Sequence, residues 1–315
     1  MQTDGIHHVT AVASDPQRNV DFYTEVLGLR LVKRTVNFDD TSTYHLYYGD
    51  ETGTPGTILT FFPFDGGQQG QPGKGQATAT AFAIPEGAVD YWLDRFATLD
   101  VDHDEPLSRF DETVVPFRDH DGQPMELVAT DTDDATDLEP WTESPVPAEY
   151  AIRGFHGVTL HSMDPDVTGS VLETLGYERA AESDDRVRYR VGGDRASVVD
   201  VFRGVGGRGV PGAGTVHHVA FRVPDDAAQE AIAADLDEIG LYVTEQKDRN
   251  YFRSIYFREP GGVLFEVATD DPGFTVDEPA ETLGTELRLP AWLEDDREQL
   301  EASLPSLSAP EVTSE

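Results

Sequence analysis

Two histidine pairs and one glutamate stand where this 315-residue sequence could hold a metal ion. His7-His8 and His217-His218 each lie near the start of an apolar, strand-like stretch, and Glu266 lies inside another apolar run. A carboxylate in such a run is costly to bury without a cation or hydrogen-bond donors. Two histidines and one carboxylate that leave neighbouring coordination positions open are typical of non-haem Fe(II) oxygenases. Chemistry between dioxygen and an organic substrate at one metal ion is therefore the first hypothesis.

An internal repeat indicates that these residues belong together. Four segments each predict a strand, a helix and then several strands, which is a βαβββ module. The first opens at Gly5, the second at Thr78, the third at Gly154 and the fourth at Val216. In the first and third copies an Asp-Pro pair predicts the start of the helix and a glycine predicts its end. The fold class is therefore predicted as α+β, built from four βαβββ modules.

The repeat also predicts the domain organisation. Residues 1–135 would form an N-terminal domain of two modules, and residues 151–272 a C-terminal domain of two modules. Between them, residues 136–150 belong to a stretch rich in Asp, Thr and Pro, which is typical of a linker. Residues 273–315 would form a C-terminal tail with a short helix.

Equivalent positions of the four modules decide which residues are candidate ligands. In module order, the opening strands hold His8, Ala79, Gly157 and His218, and the closing strands hold Phe61, Glu126, Asp200 and Glu266. Modules one and four together supply two histidines and a carboxylate, whereas modules two and three supply two carboxylates and no histidine. Strand neighbours point to opposite faces, so one histidine pair would be weak evidence, but two pairs at equivalent positions are stronger. We predict one metal ion per chain, held by His8, His218 and Glu266, and a vestigial or hydrogen-bonded structural role for Glu126.

Composition excludes several classes of partner and activity. The chain has 23 Lys and Arg against 60 Asp and Glu, a formal net charge of −37, so neither nucleic acid nor an anionic membrane surface is an expected partner. The absence of cysteine excludes thiol catalysis, disulfides and cysteine-bound zinc. The first five residues lack the features of a signal peptide, which predicts a cytoplasmic protein. Because molar salt shortens the screening length to about 3 Å, so acidic a chain also predicts a halophilic protein.

Two glycine-rich stretches are rejected as phosphate-binding loops. Gly204, Gly206 and Gly209 match a GxGxxG pattern, but strand-like residues follow instead of the helix that such a motif requires. The stretch Asp65–Gln76 lacks a serine or threonine after Lys74. The first is expected to be a loop and the second a flexible connector.

The repeated modules, with opening strands HHVT and HHVAF and a closing strand GGVLFEV, resemble the vicinal oxygen chelate superfamily. Within it they are most similar to the hydroquinone-type ring-cleaving dioxygenases, a resemblance that includes the segments 141–144 and 290–293. The resemblance implies two vicinal-oxygen-chelate-type domains with strongly curved, barrel-like mixed sheets. It also implies that modules one and four supply the iron ligands, which agrees with the set chosen from the repeat. The catalytic residues that it implies around the metal are His7, Thr10, His217, Arg249 and Tyr256.

The implied function is that of an Fe(II)-dependent extradiol-type dioxygenase acting on a hydroquinone-like aromatic, with O2 incorporated next to a metal-bound hydroxyl. Mn(II) accepts the same N/O ligands and is the alternative metal. Gly157 replaces the opening-strand ligand that catechol-type extradiol enzymes take from the third module, which argues against that subgroup. The expected partners are a small aromatic substrate and O2, and formation of a homo-oligomer is left open.

Two alternatives use the same scaffold. A glyoxalase-type lyase or isomerase would use a divalent metal as a Lewis acid. Such sites usually have four protein ligands, whereas Phe61 occupies the nearest fourth position here. A non-catalytic small-molecule-binding resistance protein would commonly lack the complete triad.

Overall fold

The structure is a computed structural model that describes residues 2–131, 138–193 and 195–308. Module one consists of β1 (Ile6–Ala13), α1 (Pro16–Asp21), β2 (Arg30–Asn37), β3 (Asp40–Gly49) and β4 (Ile58–Pro63). Module two consists of β5 (Gln76–Pro85), α2 (Val89–Thr98), β6 (Leu107–Arg109), β7 (Glu112–Arg118) and β8 (Pro124–Thr130). Module three consists of β9 (Phe155–His161), α3 (Pro165–Thr174), β10 (Glu178–Glu182), β11 (Arg186–Arg190) and β12 (Val198–Phe202). Module four consists of β13 (Thr215–Val223), α4 (Asp226–Glu238), β14 (Lys247–Asp248), β15 (Arg253–Arg258) and β16 (Leu264–Thr269). The tail carries the short helix α5 (Arg297–Ser303).

The strands of the described residues form two eight-stranded mixed sheets, and each sheet takes one module from each half of the sequence. The first sheet has the order β14-β15-β16-β13-β1-β4-β3-β2, so modules four and one lie side by side. The second has the order β10-β11-β12-β9-β5-β8-β7-β6, which joins modules three and two. Paired modules meet through antiparallel opening strands, whereas the opening and closing strands of one module are parallel. The predicted α+β class with four βαβββ modules and two curved mixed sheets is confirmed.

The predicted domain boundaries follow the order of the modules along the chain, whereas the sheets group the modules as four with one and three with two. The division at residues 1–135, 136–150 and 151–272 stays a prediction. Its boundary between residues 135 and 136 lies outside the described residues, as do residues 309–315 of the predicted tail.

Local sequence signals start and end the helices as predicted. The Asp15 carboxylate accepts the Arg18 backbone N–H at 3.0 Å and caps α1, whose first residue is a proline. Asp164 caps α3 in the same way. Gly28 follows α1 and a π-helical turn, and its φ of +70° is a left-handed conformation that favours glycine. The longest helix among the described residues is α4, with 13 residues, and none there is both long and apolar enough to cross a bilayer.

Strand register corrects one position of the repeat alignment. The β13–β16 ladder pairs Ala220 with Glu266, and the equivalent β1–β4 ladder pairs Thr10 with Thr60. The module-one residue equivalent to Glu266 is therefore Thr60, and the prediction of Phe61 was wrong by one residue. Because neighbours on a strand face opposite sides, Phe61 lies in the hydrophobic core instead, fully buried.

Candidate active site

Two β-bulges bring the histidine pairs to one place. The ladder between β1 and β13 shifts register at His7 on one strand and at His217 on the other, so each is an extra residue of its strand. A bulge changes the direction of a side chain locally. Both members of each pair can therefore contact each other, although strand neighbours ordinarily face opposite sides. As a result, the ring centroids of His8 and His218 lie 5.4 Å apart.

His8, His218 and Glu266 converge in the way that metal ligands do. The Nε2 atoms of the two histidines lie 3.3 Å apart, and Glu266 Oε2 lies 2.9 Å from His218 Nε2 and 3.4 Å from His8 Nε2. Metal–ligand bonds of about 2.1 Å at right angles would place neighbouring ligand atoms about 3 Å apart. All three residues are buried, and no other group of three such ligands converges within the described part of the chain. Glu266 Oε2 is buried without a hydrogen-bond donor, so the donor set fits a divalent cation.

The histidine that precedes each ligand orients it. His7 Nδ1 lies 2.9 Å from His8 Nδ1, and the same contact joins His217 and His218 at 2.8 Å. A ligand imidazole that donates its Nδ1–H to its neighbour keeps the Nε2 lone pair for a metal ion. His7 is buried, whereas His217 is exposed at the mouth of the cavity described below.

Glu266 is held by its other oxygen. Ser254 Oγ donates to Oε1 at 2.5 Å, and both residues are fully buried. Burial alone would raise the pKa of Glu266, but the adjacent imidazoles of His8 and His218 hold that pKa well below its usual value. The carboxylate is therefore ionised, with Oε2 directed at the two imidazoles.

The ligand atoms face a cavity of about 320 Å³. Its apolar walls are formed mainly by Phe38, Phe62, Phe64, Phe252 and Leu264. Ligand pockets range from about 300 to 1,000 Å³, so this volume suits one small molecule. Aromatic walls on several sides favour a flat, apolar ring.

Arg249 and Tyr256 form a polar edge of this cavity. Arg249 Nε donates to the Tyr256 phenol oxygen at 3.1 Å, and Arg249 Nη2 donates to Asp39 at 2.8 Å. Burial, and secondarily the charge of Glu266, raise the pKa of Tyr256 well above its usual value. Tyr256 therefore keeps its proton near neutral pH, beside the ring of His218 at 5.9 Å between centroids.

A row of hydrogen-bonded side chains that reaches the cavity through His45 and Tyr47 was not predicted from the sequence. Thr10 and Thr60 share a hydrogen bond of 2.9 Å, and Thr60 contacts His45 Nε2 at 2.8 Å. The Tyr47 hydroxyl contacts His45 Nδ1 at 2.8 Å. Burial lowers the pKa of His45 well below its usual value, so the ring is neutral and accepts at one nitrogen while it donates at the other. The available signal was the spacing of two between His45 and Tyr47, which puts both on one face of β3.

The structure brings the predicted site residues together. Six of the eight line the cavity: His8, His217, His218, Arg249, Tyr256 and Glu266. The other two contact or pair with the candidate ligands: His7 contacts His8, and Thr10 pairs with His218 in the β1–β13 ladder.

The second sheet carries ion pairs at the positions where the first sheet carries the candidate metal ligands. Arg109 donates to both oxygens of Glu126, at 2.7 and 2.8 Å, so Glu126 has the hydrogen-bonded role predicted for it. Arg188 donates to both oxygens of Asp200, at 2.8 and 3.0 Å, and also to Glu112. These carboxylates already have cationic partners and need no metal ion.

Comparisons with known proteins agree with this geometry. The sequence matches the family described as "Glyoxalase/Bleomycin resistance protein/Dioxygenase superfamily" over residues 5–127 and 147–267. The protein named "Putative ring-cleaving dioxygenase MhqO" of Bacillus subtilis is 48% identical over 304 residues, 96% of each chain. The "Chlorohydroquinone/hydroquinone 1,2-dioxygenase" of Sphingobium indicum is 36% identical over 308 residues, 95% of each chain. A crystal structure described as a "putative dioxygenase" of Bacillus subtilis superposes with a TM-score of 0.94 at 47% identity, over 99% of each chain.

Proposed function

The chain belongs to the glyoxalase/bleomycin resistance protein/dioxygenase superfamily, and we propose that it is an Fe(II)-dependent extradiol-type dioxygenase that opens the ring of a hydroquinone. The observation that carries this proposal is the convergence of His8, His218 and Glu266 at a small, aromatic-lined cavity. Relatives named as ring-cleaving dioxygenases support the reaction class, and one named for hydroquinone supports the substrate class.

Two histidines and one carboxylate with open neighbouring positions are the ligand set of non-haem Fe(II) oxygenases, and Mn(II) is the alternative metal. The bound ion would supply a common site for a substrate hydroxyl and O2 and a path for electrons between them. Both oxygen atoms enter the ring-opened product, and the broken ring bond supplies the electrons, so the reaction needs no external reductant.

The protein's own groups would orient the ligands and the ring. His7 and His217 fix the imidazoles of His8 and His218, and Ser254 fixes the carboxylate of Glu266, as second partners of metal ligands commonly do. The phenylalanine walls would hold the aromatic ring and exclude water from it.

Four side chains would handle protons and charge on the substrate. Tyr256 keeps its proton and would donate it to an oxygen of the ring-opening substrate. Arg249 would stabilise negative charge on that oxygen. Partial burial lowers the pKa of His217 to about 4, so this ring is neutral at pH 7; because its Nδ1 accepts from His218, its Nε2–H would donate a hydrogen bond to a substrate oxygen. Thr10 would help to position this site through its hydrogen bond with Thr60, which contacts His45 in the cavity wall.

The test is oxygen uptake by protein loaded anaerobically with Fe(II). Hydroquinones and catechols are offered in about 2–3 M KCl, where charge repulsion is screened. We expect uptake of one O2 per hydroquinone, loss of uptake in His8→Ala, and retention in His103→Ala, a histidine of the second sheet that contacts a backbone carbonyl. Folded, metal-loaded protein that consumes no O2 with any hydroquinone would refute the proposal.

The glyoxalase-type alternative is disfavoured by the corrected register. The position equivalent to Glu266 in module one is Thr60, which is engaged with Thr10 and His45 rather than offering a carboxylate as a fourth ligand. Methylglyoxal with a thiol, assayed in parallel, tests this alternative: product without O2 uptake would establish it.

We further propose that the protein works in a salt-rich cytoplasm. The net charge of −37 supports this setting, because self-repulsion of that size weakens a compact state unless salt screens it.

A further inference from the structure

A second cavity, of about 260 Å³, adjoins the active-site cavity. The two share three wall residues: Val12, His217 and Leu264. All of the charged residues that line the second cavity within the described chain are basic: Lys74, Arg208 and Arg258. Acidic residues outnumber basic ones by 60 to 23 in the whole sequence, so this lining departs strongly from the composition.

The two glycine-rich stretches position two of these cations. The stretch between modules one and two runs beside the one between modules three and four, and Lys74 exchanges backbone hydrogen bonds with Gly207 at 2.8 Å and Gly209 at 3.0 Å. A Cβ on Gly73 would lie 2.7 Å from the Gly207 carbonyl oxygen, so only glycine permits this approach. The paired loops do not form a phosphate-binding loop. They place Lys74 and Arg208 next to each other in the lining of the second cavity.

The three cations have no carboxylate partner within the described residues. Arg258 donates to the backbone carbonyl of Gly262 at 2.7 Å, which leaves its charge uncompensated. Many other arginines of this acidic chain form ion pairs, for example Arg188 with Asp200. Uncompensated positive charge around a concave surface attracts anions, and arginine suits carboxylates in particular.

We propose that the second cavity binds a carboxylate substituent of the aromatic substrate whose ring occupies the active-site cavity. This inference rests on the proposed function and names its substrate class, a hydroquinone with an acidic side group. The two cavities adjoin at His217 and Leu264, so a substituent that extends past these side chains from a ring in the first cavity would meet the cations of the second. The cations also offset the repulsion that a chain of charge −37 exerts on an anionic substrate.

Binding of unreactive probes tests the site without turnover. In 2,5-dimethoxybenzoate and 1,4-dimethoxybenzene the ring hydroxyls are blocked, and the two probes differ by one carboxylate. Calorimetry at one fixed KCl concentration should show about ten-fold tighter binding of the benzoate to the unmodified protein. The variant Lys74→Gln/Arg208→Gln should lose that preference, whereas Arg118→Gln/Arg179→Gln, with the same change of net charge at exposed ion pairs elsewhere, should keep it. Equal affinity for the two probes in the unmodified protein, or a preference that survives in the first variant, would overturn the inference.

Turnover separates this inference from the proposed function. With Fe(II)-loaded protein, the KM for 2,5-dihydroxybenzoate should be about ten-fold below that for hydroquinone. The Lys74→Gln/Arg208→Gln variant should raise only the KM for the benzoate and leave hydroquinone turnover unchanged. Uptake of O2 with both substrates at equal KM would overturn the carboxylate site and leave the dioxygenase. Discrimination between the methoxy probes without O2 uptake on either substrate would overturn the dioxygenase and leave the carboxylate site.

Discussion

Glu266 and Glu126 occupy equivalent positions in the two sheets, and changing either to glutamine is predicted to have opposite consequences. In Glu266→Gln the oxygen that faces two imidazoles becomes part of a neutral amide, so a bound cation loses the anionic member of its triad. Glu126→Gln removes the charged partner of Arg109, which is largely buried and donates two hydrogen bonds to that carboxylate.

The structure sets the size of each effect. Changing a residue that merely supports a metal ligand costs about 10–100-fold in affinity, so removing the ligand's charge should cost more than about 100-fold, or about 2.7 kcal/mol. Metal-free Glu266→Gln should stay close to the unmodified protein in stability, because the glutamine amide keeps an oxygen to accept from Ser254 and has an NH2 group that can donate to the imidazole nitrogen that the carboxylate faced. Glu126→Gln should lose about 2 kcal/mol, since hydrogen bonds between charged groups contribute about 1.5–3 kcal/mol. For a chain of 315 residues, that loss would lower Tm by about 3 °C.

Two measurements separate the variants. Anaerobic titration with Fe(II) gives the metal affinity, and thermal unfolding in a chelator gives the stability of the metal-free fold. We expect Glu266→Gln to bind Fe(II) more weakly while its metal-free stability stays the same. We expect Glu126→Gln to be less stable while its affinity for Fe(II) stays the same. Full metal affinity in Glu266→Gln, or loss of metal from folded Glu126→Gln, would refute the reasoning that assigns one carboxylate to a metal and the other to an arginine.

Four further outcomes are expected. Ser254→Ala should weaken metal binding by about 10–100-fold in the same titration, because Glu266 Oε1 loses its donor; unchanged affinity would contradict this. Tyr256→Phe should lower kcat by about 10²–10⁴ with little change in KM, as measured by oxygen uptake; an equal rise in KM would indicate a binding role. Burial alone would raise the pKa of Glu112, but its histidine and arginine partners hold it at about 2, below the usual 4.5. This carboxylate therefore stabilises the fold above about pH 4.5 by about 2 kcal/mol, allowing for partial exposure, and that contribution is lost as pH falls towards 2. Urea unfolding of Glu112→Gln across that interval should show a shallower acid dependence. Finally, the free energy of unfolding should rise between 0.1 and about 3 M KCl as the screening length shortens from about 10 Å to about 2 Å; a constant value would refute salt adaptation.

The repeat and the ligand set were accessible from sequence because both depend on local patterns. Strand periodicity, the helix caps at Asp15 and Asp164 and the paired histidines all lie within short segments that recur. Comparing equivalent positions was then enough to select His8, His218 and Glu266 as a group that the fold brings together.

The features that could not be predicted from the sequence depend on strand register and on pairing between strands that are distant in the chain. Alternation predicts opposite faces for His7 and His8, and only the bulge in the β1–β13 ladder shows why they contact. An alignment that is wrong by one residue on β4 selects Phe61, whose ring lies in the core. The correct residue is Thr60, which makes polar contacts on the other face of the strand. The pairing of module four with module one depends on strands about 200 residues apart, and no local signal encodes it.

That pairing is nested, since modules two and three join inside the interval that separates one from four. During synthesis at about 5–20 residues per second, β1 would wait about 10–40 s for β13, whereas β5 meets β9 after a much shorter interval. The inner sheet can close first and shorten the loop that the outer sheet must close, which lowers the entropy cost of bringing its ends together. Until then the edge of β1 that pairs with β13 stays open and carries one of the three proposed metal ligands. Since Glu266 leaves the ribosome after both histidine pairs, the three proposed ligands can hold a metal ion together only when most of the chain has been made.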